Sequence, residues 1–184
     1  MSLSELHQAC KKGDSHKVTS ILATSPHLVD QRDTSYYDYT GLHYACEKGH
    51  VECVNLLISS GADINIETSD GWTGLRLACY HNHHFLVIPL LSAGCHPDTG
   101  DSNNMSPLMI ASSRGHVECV AALLTRKESI DLALTNTLTG WTALHWACCN
   151  NHLAVVRELL GLQAAPEVIA IKDKRGRTPL DCAR

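Results

Sequence analysis

Apolar residues recur along this chain in two helical stripes at a fixed offset. One column holds Val18, Val54, Val87, Val120 and Val156, followed three and four positions later by Ile21/Leu22, Leu57/Ile58, Leu90/Leu91, Leu123/Leu124 and Leu159/Leu160. An i, i+3, i+4 apolar pattern marks one face of a helix. Upstream of each lies a Leu-x-x-Ala-Cys stripe, as in Leu6-Ala9-Cys10 and Leu42-Ala45-Cys46, whose small residues permit close helix–helix approach. Each segment therefore predicts two short antiparallel helices and a turn. Neither helix pair can bury its face alone, so stacking on neighbours must complete the core.

The stripes belong to a repeated string. Ser4-Glu5-Leu6-His7-Gln8-Ala9-Cys10 returns as Thr40-Gly41-Leu42-His43-Tyr44-Ala45-Cys46, Thr73-Gly74-Leu75-Arg76-Leu77-Ala78-Cys79, Ser106-Pro107-Leu108-Met109-Ile110-Ala111-Ser112 and Thr142-Ala143-Leu144-His145-Trp146-Ala147-Cys148. It begins once more at Thr178-Pro179-Leu180-Asp181, and the spacings are 36, 33, 33, 36 and 36 residues. Together with Gly49-His50, Gly115-His116 and Gly61-Ala62-Asp63-Ile64-Asn65, this resembles the ankyrin repeat over almost the whole chain. The resemblance implies an all-α repeat solenoid of helix–turn–helix units with β-hairpin fingers, stacked and curved. The expected organisation is a single array over 1–184, with units at roughly 4–39, 40–72, 73–105, 106–141 and 142–177 and a partial one at 178–184.

Departures from the pattern carry expectations of their own. The two 33-residue units keep Gly61 and Gly94 where a left-handed residue ends the second helix, and the 36-residue units are expected to exit through a longer loop. At the finger turn the column reads Asp38, Gly71, Asn104, Gly140, Gly176, residue types that all tolerate left-handed backbone. Pro89 falls inside the second helix of the third unit, which is expected to be kinked or to start late. The half-unit after Thr178 has no second helix to pair with, so the reading expects a longer protein past Arg184.

Composition narrows the function. A net charge of −4, from 15 Lys and Arg against 19 Asp and Glu, gives no global attraction for nucleic acid or anionic membrane. No apolar run approaches the length of a membrane span, and the first residues lack the basic and apolar regions of a secretory signal. Nine cysteines without a framework spacing suit a reducing compartment, so the expected location is cytoplasmic or nuclear.

The twelve histidines and nine cysteines invite metal and nucleophile hypotheses, which register dissolves. Cys10, Cys46, Cys79 and Cys148 share one column, Cys53 and Cys119 another, and Cys182 that of Tyr44; Cys95 and Cys149 stand outside the columns. His7, His43 and His145 take the family's Thr-x-x-His position, for which the resemblance implies hydrogen bonding inside the turn. His50, His83, His116 and His152 take its Gly-His position. The dense run Cys79-Tyr80-His81-Asn82-His83-His84 has no second ligand pair at zinc spacing, so no metal and no cofactor is expected. Nucleotide-binding glycine loops and the Gly-x-Ser-x-Gly elbow are absent, and packed cysteines are inert, so no catalysis is expected.

The residues left over after the structural columns are the candidate interface. Tyr39, Trp72, Met105, Trp141 and Arg177 immediately precede each Thr, and ankyrin-type stacking would set them side by side along a concave ladder. A second strip closes the first helices, with Lys11-Lys12, Glu47-Lys48, Tyr80-His81, Ser113-Arg114 and Cys149-Asn150. Of these, Tyr80, His81 and Arg114 join the ladder as expected partner contacts, and Tyr36 and Tyr37 extend it toward the N-terminus. Large amphipathic residues and Arg dominate buried interface hot spots, and such a surface suits an extended peptide or short helix with an apolar anchor and a charged flank. The alternative for each ring is that it merely covers the next finger. Asn65 sits in a segment resembling the asparagines that the oxygen-sensing asparaginyl hydroxylase modifies in ankyrin repeats; the alternative is a structural amide fixing the hairpin. The reading is thus a monomeric, non-catalytic scaffold for a protein or peptide partner. The rival reading is a regulatory or targeting arm of a larger enzyme or channel.

Overall fold

Each first helix is opened by a hydroxyl placed to satisfy a free backbone donor. The computed structural model describes residues 4–126, 129–161 and 166–183. In it Ser4, Thr73, Ser106 and Thr142 accept from the amides of His7, Arg76, Met109 and His145 at 3.3 Å, which starts helices at Glu5, Gly74, Pro107 and Ala143. Such a cap is worth about 1 kcal/mol. The resulting elements are α1 (Glu5–Lys12), α2 (Ser15–Thr24), α3 (Gly41–Lys48), α4 (Val51–Ser59), α5 (Gly74–Tyr80), α6 (His84–Ser92), α7 (Pro107–Arg114), α8 (Val117–Leu124), α9 (Ala143–Cys149), α10 (Leu153–Gly161) and α11 (Pro166–Ala170). Short 3-10 turns lie at Pro26–Leu28 and Leu180–Cys182.

The helices group into two compact units, Met1–His96 and Pro97–Arg184. In the N-terminal unit α1, α3 and α5 pack in succession, each backed by its partner α2, α4 or α6. In the C-terminal unit α7 packs on α9 and α8 on α10, and Leu180–Cys182 covers α9.

Close approach explains the cysteine column. A Cβ on Gly41 would lie 2.9 Å from the Cys10 sulfur, and one on Gly74 3.0 Å from that of Cys46. Each thiol therefore fills the space the next helix leaves by carrying glycine, and burial pushes the Cys10 thiol up to about 12. These sulfurs behave as small apolar groups. The Gly-His histidines are the second brace. Gly13, Gly49 and Gly115 end their helices at φ 75, 77 and 74°, and a Cβ on them would come within 2.7 Å of the rings of His50, His83 and His152. Each ring also hydrogen-bonds a carbonyl of the preceding helix pair, those of Lys11, Glu47 and Ser113 at 3.3, 3.0 and 3.1 Å.

Three expectations need correction or completion. α6 does not start late: it begins at His84, 33 residues after the start of α4, with Pro89 in its interior. Phe85, whose carbonyl loses its helical donor to Pro89, is itself exposed. The apolar column is buried at Val18, Val54, Val87 and Val120, but in α10 the buried pair is Val155 and Leu159. Val156 and Leu160 are partly open there, because no further helix pair packs on α10 among the described residues. The longer exits of the 36-residue units hold the Pro26–Leu28 turn and α11 in the first and fifth; part of the fourth, at 127–128, lies outside the described residues.

Candidate functional site

The fingers are built by one recurring device, a left-handed turn residue with a side-chain acceptor at its base. Asp38, Gly71, Asn104, Gly140 and Gly176 all have φ between 56 and 77°, as their column predicts. The expected β-hairpins take a looser form. Asp33, Thr68, Asn136 and Asp173 each donate one amide to the carbonyl of Tyr39, Trp72, Trp141 and Arg177, at 2.7 to 3.0 Å. Among the described residues only Asp33 and Tyr39 form a bridge, and it is isolated. A single cross-finger bond closes a loop without the two-sided ladder that makes a strand. Neighbouring fingers are tied by Ser69 N–H to Tyr37 O in the N-terminal unit, and by Thr137 N–H to Asn103 O and Lys174 N–H to Thr139 O in the C-terminal one, at 2.9–3.0 Å.

Histidines fix fingers to helices. Thr40 N–H donates to His43 Nδ1 at 3.0 Å, so the other ring nitrogen carries the proton and donates to the carbonyls of Ile66 and Trp72 at 3.1 Å. Burial lowers the His43 pKa to about 4 and keeps the ring neutral. His145 repeats the arrangement between Thr142 and the Arg177 carbonyl, and burial lowers its pKa as well. Arg76 stands in this column in the third repeat. It is fully buried, donates to Gly71 O at 2.6 Å and lies 4.4 Å over the Trp72 ring.

The predicted contact residues fall into different settings. Tyr39 is only 9% exposed, its ring packed 5.0–5.4 Å from those of Tyr36, Tyr44 and His43. It therefore belongs to the core of its finger, and the open rings beside it are Tyr36 and Tyr37, at 44% and 54%. Trp72 is half-buried, with Tyr80 edge-on at 5.3 Å and the exposed His81 ring 5.0 Å beyond Tyr80. Met105 is half-buried and Arg114 exposed. Trp141 is half-buried, with Trp146 edge-on at 4.7 Å and its indole N–H donating to Asp173 at 3.0 Å. Arg177 also donates to Asp173, at 2.9 and 3.0 Å, with its guanidinium 6.0 Å from the Trp141 ring.

Asn65 is engaged through both ends of its amide. Its nitrogen donates to Gly94 O at 3.3 Å and its oxygen accepts from His96 N–H at 2.8 Å, which joins two successive loops. In the 79–84 run Cys79 is fully buried while His81 and His84 are exposed. Among the described residues no three His, Cys, Asp or Glu side chains are grouped to hold a metal ion.

The residues sequence reading passed over are the acceptors at the finger bases. Asp33, Thr68, Asp101, Asn136 and Asp173 each take a backbone amide from within their own finger, at 2.8–3.1 Å. A short polar side chain five to seven residues before every Ser/Thr cap was the available signal. Burial alone would raise the Asp33 carboxyl, but donation from Ser35 and from the Tyr44 hydroxyl, the latter at 2.7 Å, holds it below its usual value. Asp173 is held well below the carboxylate range in the same way: burial opposes ionisation, and the donors from Arg177, Trp141 and Arg175 outweigh it.

A family model described as ankyrin repeats (3 copies) matches residues 6–101, 76–170 and 129–184. Similar curated proteins include the palmitoyltransferase AKR1 of Naumovozyma castellii, 37% identical over 68 residues, which are 37% of this chain and 9% of that protein. The mouse ankyrin repeat domain-containing protein 13C is 32% identical over 71 residues, 39% of this chain and 12% of that one. The human NAD-capped RNA hydrolase NUDT12 is 38% identical over 64 residues, 35% and 13% of the two chains. The chain thus spans at most 13% of the length of these relatives. No helix among the described residues is long and apolar enough to cross a membrane.

Proposed function

The chain belongs to the ankyrin-repeat family, and from that premise we propose that it is a non-catalytic scaffold whose fingers and first-helix ends hold a protein or peptide partner. Ankyrin repeats generally mediate protein–protein interaction. The observation that carries the reading is the setting of Trp72 and Trp141. Each is a large amphipathic ring, half-open, on a finger fixed by hydrogen bonds. Rigid aromatic anchors of this kind supply much of the energy at interfaces, because little freedom is lost when they are covered. Tyr80, His81, Met105, Arg114 and Arg177 supply the polar and flexible surroundings, Tyr36 and Tyr37 take the place expected of Tyr39, and Asn65 serves as a structural amide. The two units act together as one array, as a monomer, in a reducing compartment.

Affinity purification from cells, with wild type against a folded Trp72→Ala/Trp141→Ala variant, tests this. Partners retained by wild type and lost from the variant are the expected result; an unchanged partner set contradicts it. A second reading follows from the small share of its relatives that the chain covers, two of them named as a transferase and a hydrolase. In that reading the array is the regulatory or targeting arm of a longer protein. Partner binding by the fingers is common to both.

A further inference from the structure

The C-terminal unit carries a groove of about 340 Å³ between its last two fingers, with Leu138, Thr139 and Trp141 on one wall and Asp173, Lys174 and Arg175 on the other. We propose that this groove docks an acidic peptide segment bearing an apolar side chain. The inference rests on the scaffold reading and names the chemistry of its partner at one place.

Charge is the first argument. The stretch Lys172–Arg177 holds four cations and one carboxylate. That carboxylate is used up inside the finger. One Asp173 oxygen accepts from the amides of Arg175 and Arg177 at 2.8 and 2.9 Å. The other accepts from the Trp141 indole at 3.0 Å and from two nitrogens of the Arg177 guanidinium at 3.0 and 2.9 Å. Asp173 and Arg177 cancel each other and set the wall rigidly. Lys174 gives its ammonium to the Thr137 carbonyl, and neither Lys174 nor Arg175 has a carboxylate partner among the described residues. The groove therefore presents two cations, Lys174 and Arg175, with no carboxylate left among its lining residues to answer them.

Size and polarity are the second argument. The volume is at the low end of the ~300–1,000 Å³ of small binding sites, so it suits a few side chains of an extended segment. Leu138, 66% exposed, and the open part of the Trp141 ring give an apolar surface beside the cations. A peptide alternating acidic and apolar residues satisfies both. The C-terminal unit carries 9 Lys and Arg against 9 Asp and Glu, with four of the cations between Lys172 and Arg177, so it lacks the net positive charge that nucleic-acid binding draws on.

The test uses the full chain, ¹⁵N-labelled, with the three tryptophan indole signals assigned through Trp→Phe variants. The probes are the capped pentapeptides Glu-Glu-Leu-Glu-Glu and Lys-Lys-Leu-Lys-Lys and a hexauridylate. The acidic peptide should shift the Trp141 signal saturably and leave Trp72 in place, and its affinity should fall as salt shortens the Debye length from about 30 Å toward 3 Å. Lys174→Ala/Arg175→Ala should weaken it about fivefold or more, the loss of roughly 1 kcal/mol. No saturable Trp141 shift up to about 5 mM peptide, several times a Kd of ~1 mM (about −4.1 kcal/mol), overturns the proposal. So does an equal response to the lysine peptide, tighter binding of hexauridylate, or indifference to the double substitution in a variant that melts like wild type. If peptide binding fails while Trp72→Ala/Trp141→Ala still abolishes partner capture, the scaffold reading stands and only this inference falls.

Discussion

The first finger of the N-terminal unit and the last finger of the C-terminal unit solve one problem with different chemistry. Both have an aspartate at the base, Asp33 and Asp173, whose carboxylate accepts amides of its own turn. Asp33 receives its outer donor from the Tyr44 hydroxyl, under a cluster of Tyr36, Tyr39 and Tyr44. Asp173 receives its own from Trp141 and the Arg177 guanidinium. The surroundings diverge accordingly. The N-terminal unit has 6 Lys and Arg against 10 Asp and Glu and shows exposed tyrosines, whereas the C-terminal unit is balanced overall and concentrates cations on its last finger. Backbone geometry asks only for an acceptor and a left-handed turn. What the remaining side chains do is free to differ, so the proposed scaffold would draw its binding preference from the residues that the turn leaves unused.

The largest effect expected tests what the two units share. Gly49→Ala and Gly115→Ala each force left-handed strain and put a methyl against a histidine ring, at a cost of about 2–4 kcal/mol. Gly61→Ala, with φ 84° but open space around it, should cost only about 1 kcal/mol. Urea titrations that find Gly49 and Gly115 unequal would break the claim of a common construction.

Acid should act on both units next, through their buried histidines. His43 has a folded pKa of about 4, below its unfolded value of 6.5, so the unfolded chain binds the extra proton between them. Stability should be full above about pH 6.5 and fall by up to about 3 kcal/mol as pH drops toward 4. His145 acts in the same direction in the C-terminal unit. Hydrogen exchange followed against pH, in wild type and His43→Gln, checks the sign and the place: protection of α3 should stop depending on pH in the variant.

Smaller effects sharpen the contrast between the aspartates. Tyr44→Phe removes a buried donor to Asp33 and should cost about 1–2 kcal/mol. Trp141→Phe should cost less, because Asp173 keeps four other donor contacts, all from Arg175 and Arg177. Thermal melts that reverse this order would contradict the account of the two bases. Arg175→Ala should leave stability within about 0.5 kcal/mol while weakening acidic-peptide binding, because its exposed side chain supports no turn.

Much of this was written in local spacing. The helix pairs and the left-handed turn column follow from residues within one repeat, the Thr-x-x-His hydrogen bonds are what the ankyrin resemblance implies, and each is found where its column put it. What escaped depends on neighbours. Tyr39 precedes its Thr as Trp72 does, yet Tyr36 and Tyr44 close over it, and no count along one repeat reveals that. Val156 matches a column buried in four other repeats, but its burial requires a further helix pair against α10. Arg76 was visible as a substitution for His, while its place over the Trp72 ring became visible only with the helix and finger folded together. Among the described residues the hairpins fall short of strands, because in four of the fingers a single cross bond closes the turn.

The central claim is that the fingers bear the partner surface, and site-specific photocrosslinking in cells tests it most directly. A benzoylphenylalanine placed at Trp72 or Trp141 should capture a discrete protein adduct, whereas the same probe at exposed Ser20 on α2 or Arg157 on α10 should not. Adducts formed from Ser20 or Arg157, with none from Trp72 and Trp141, would contradict it and move the surface to the second helices.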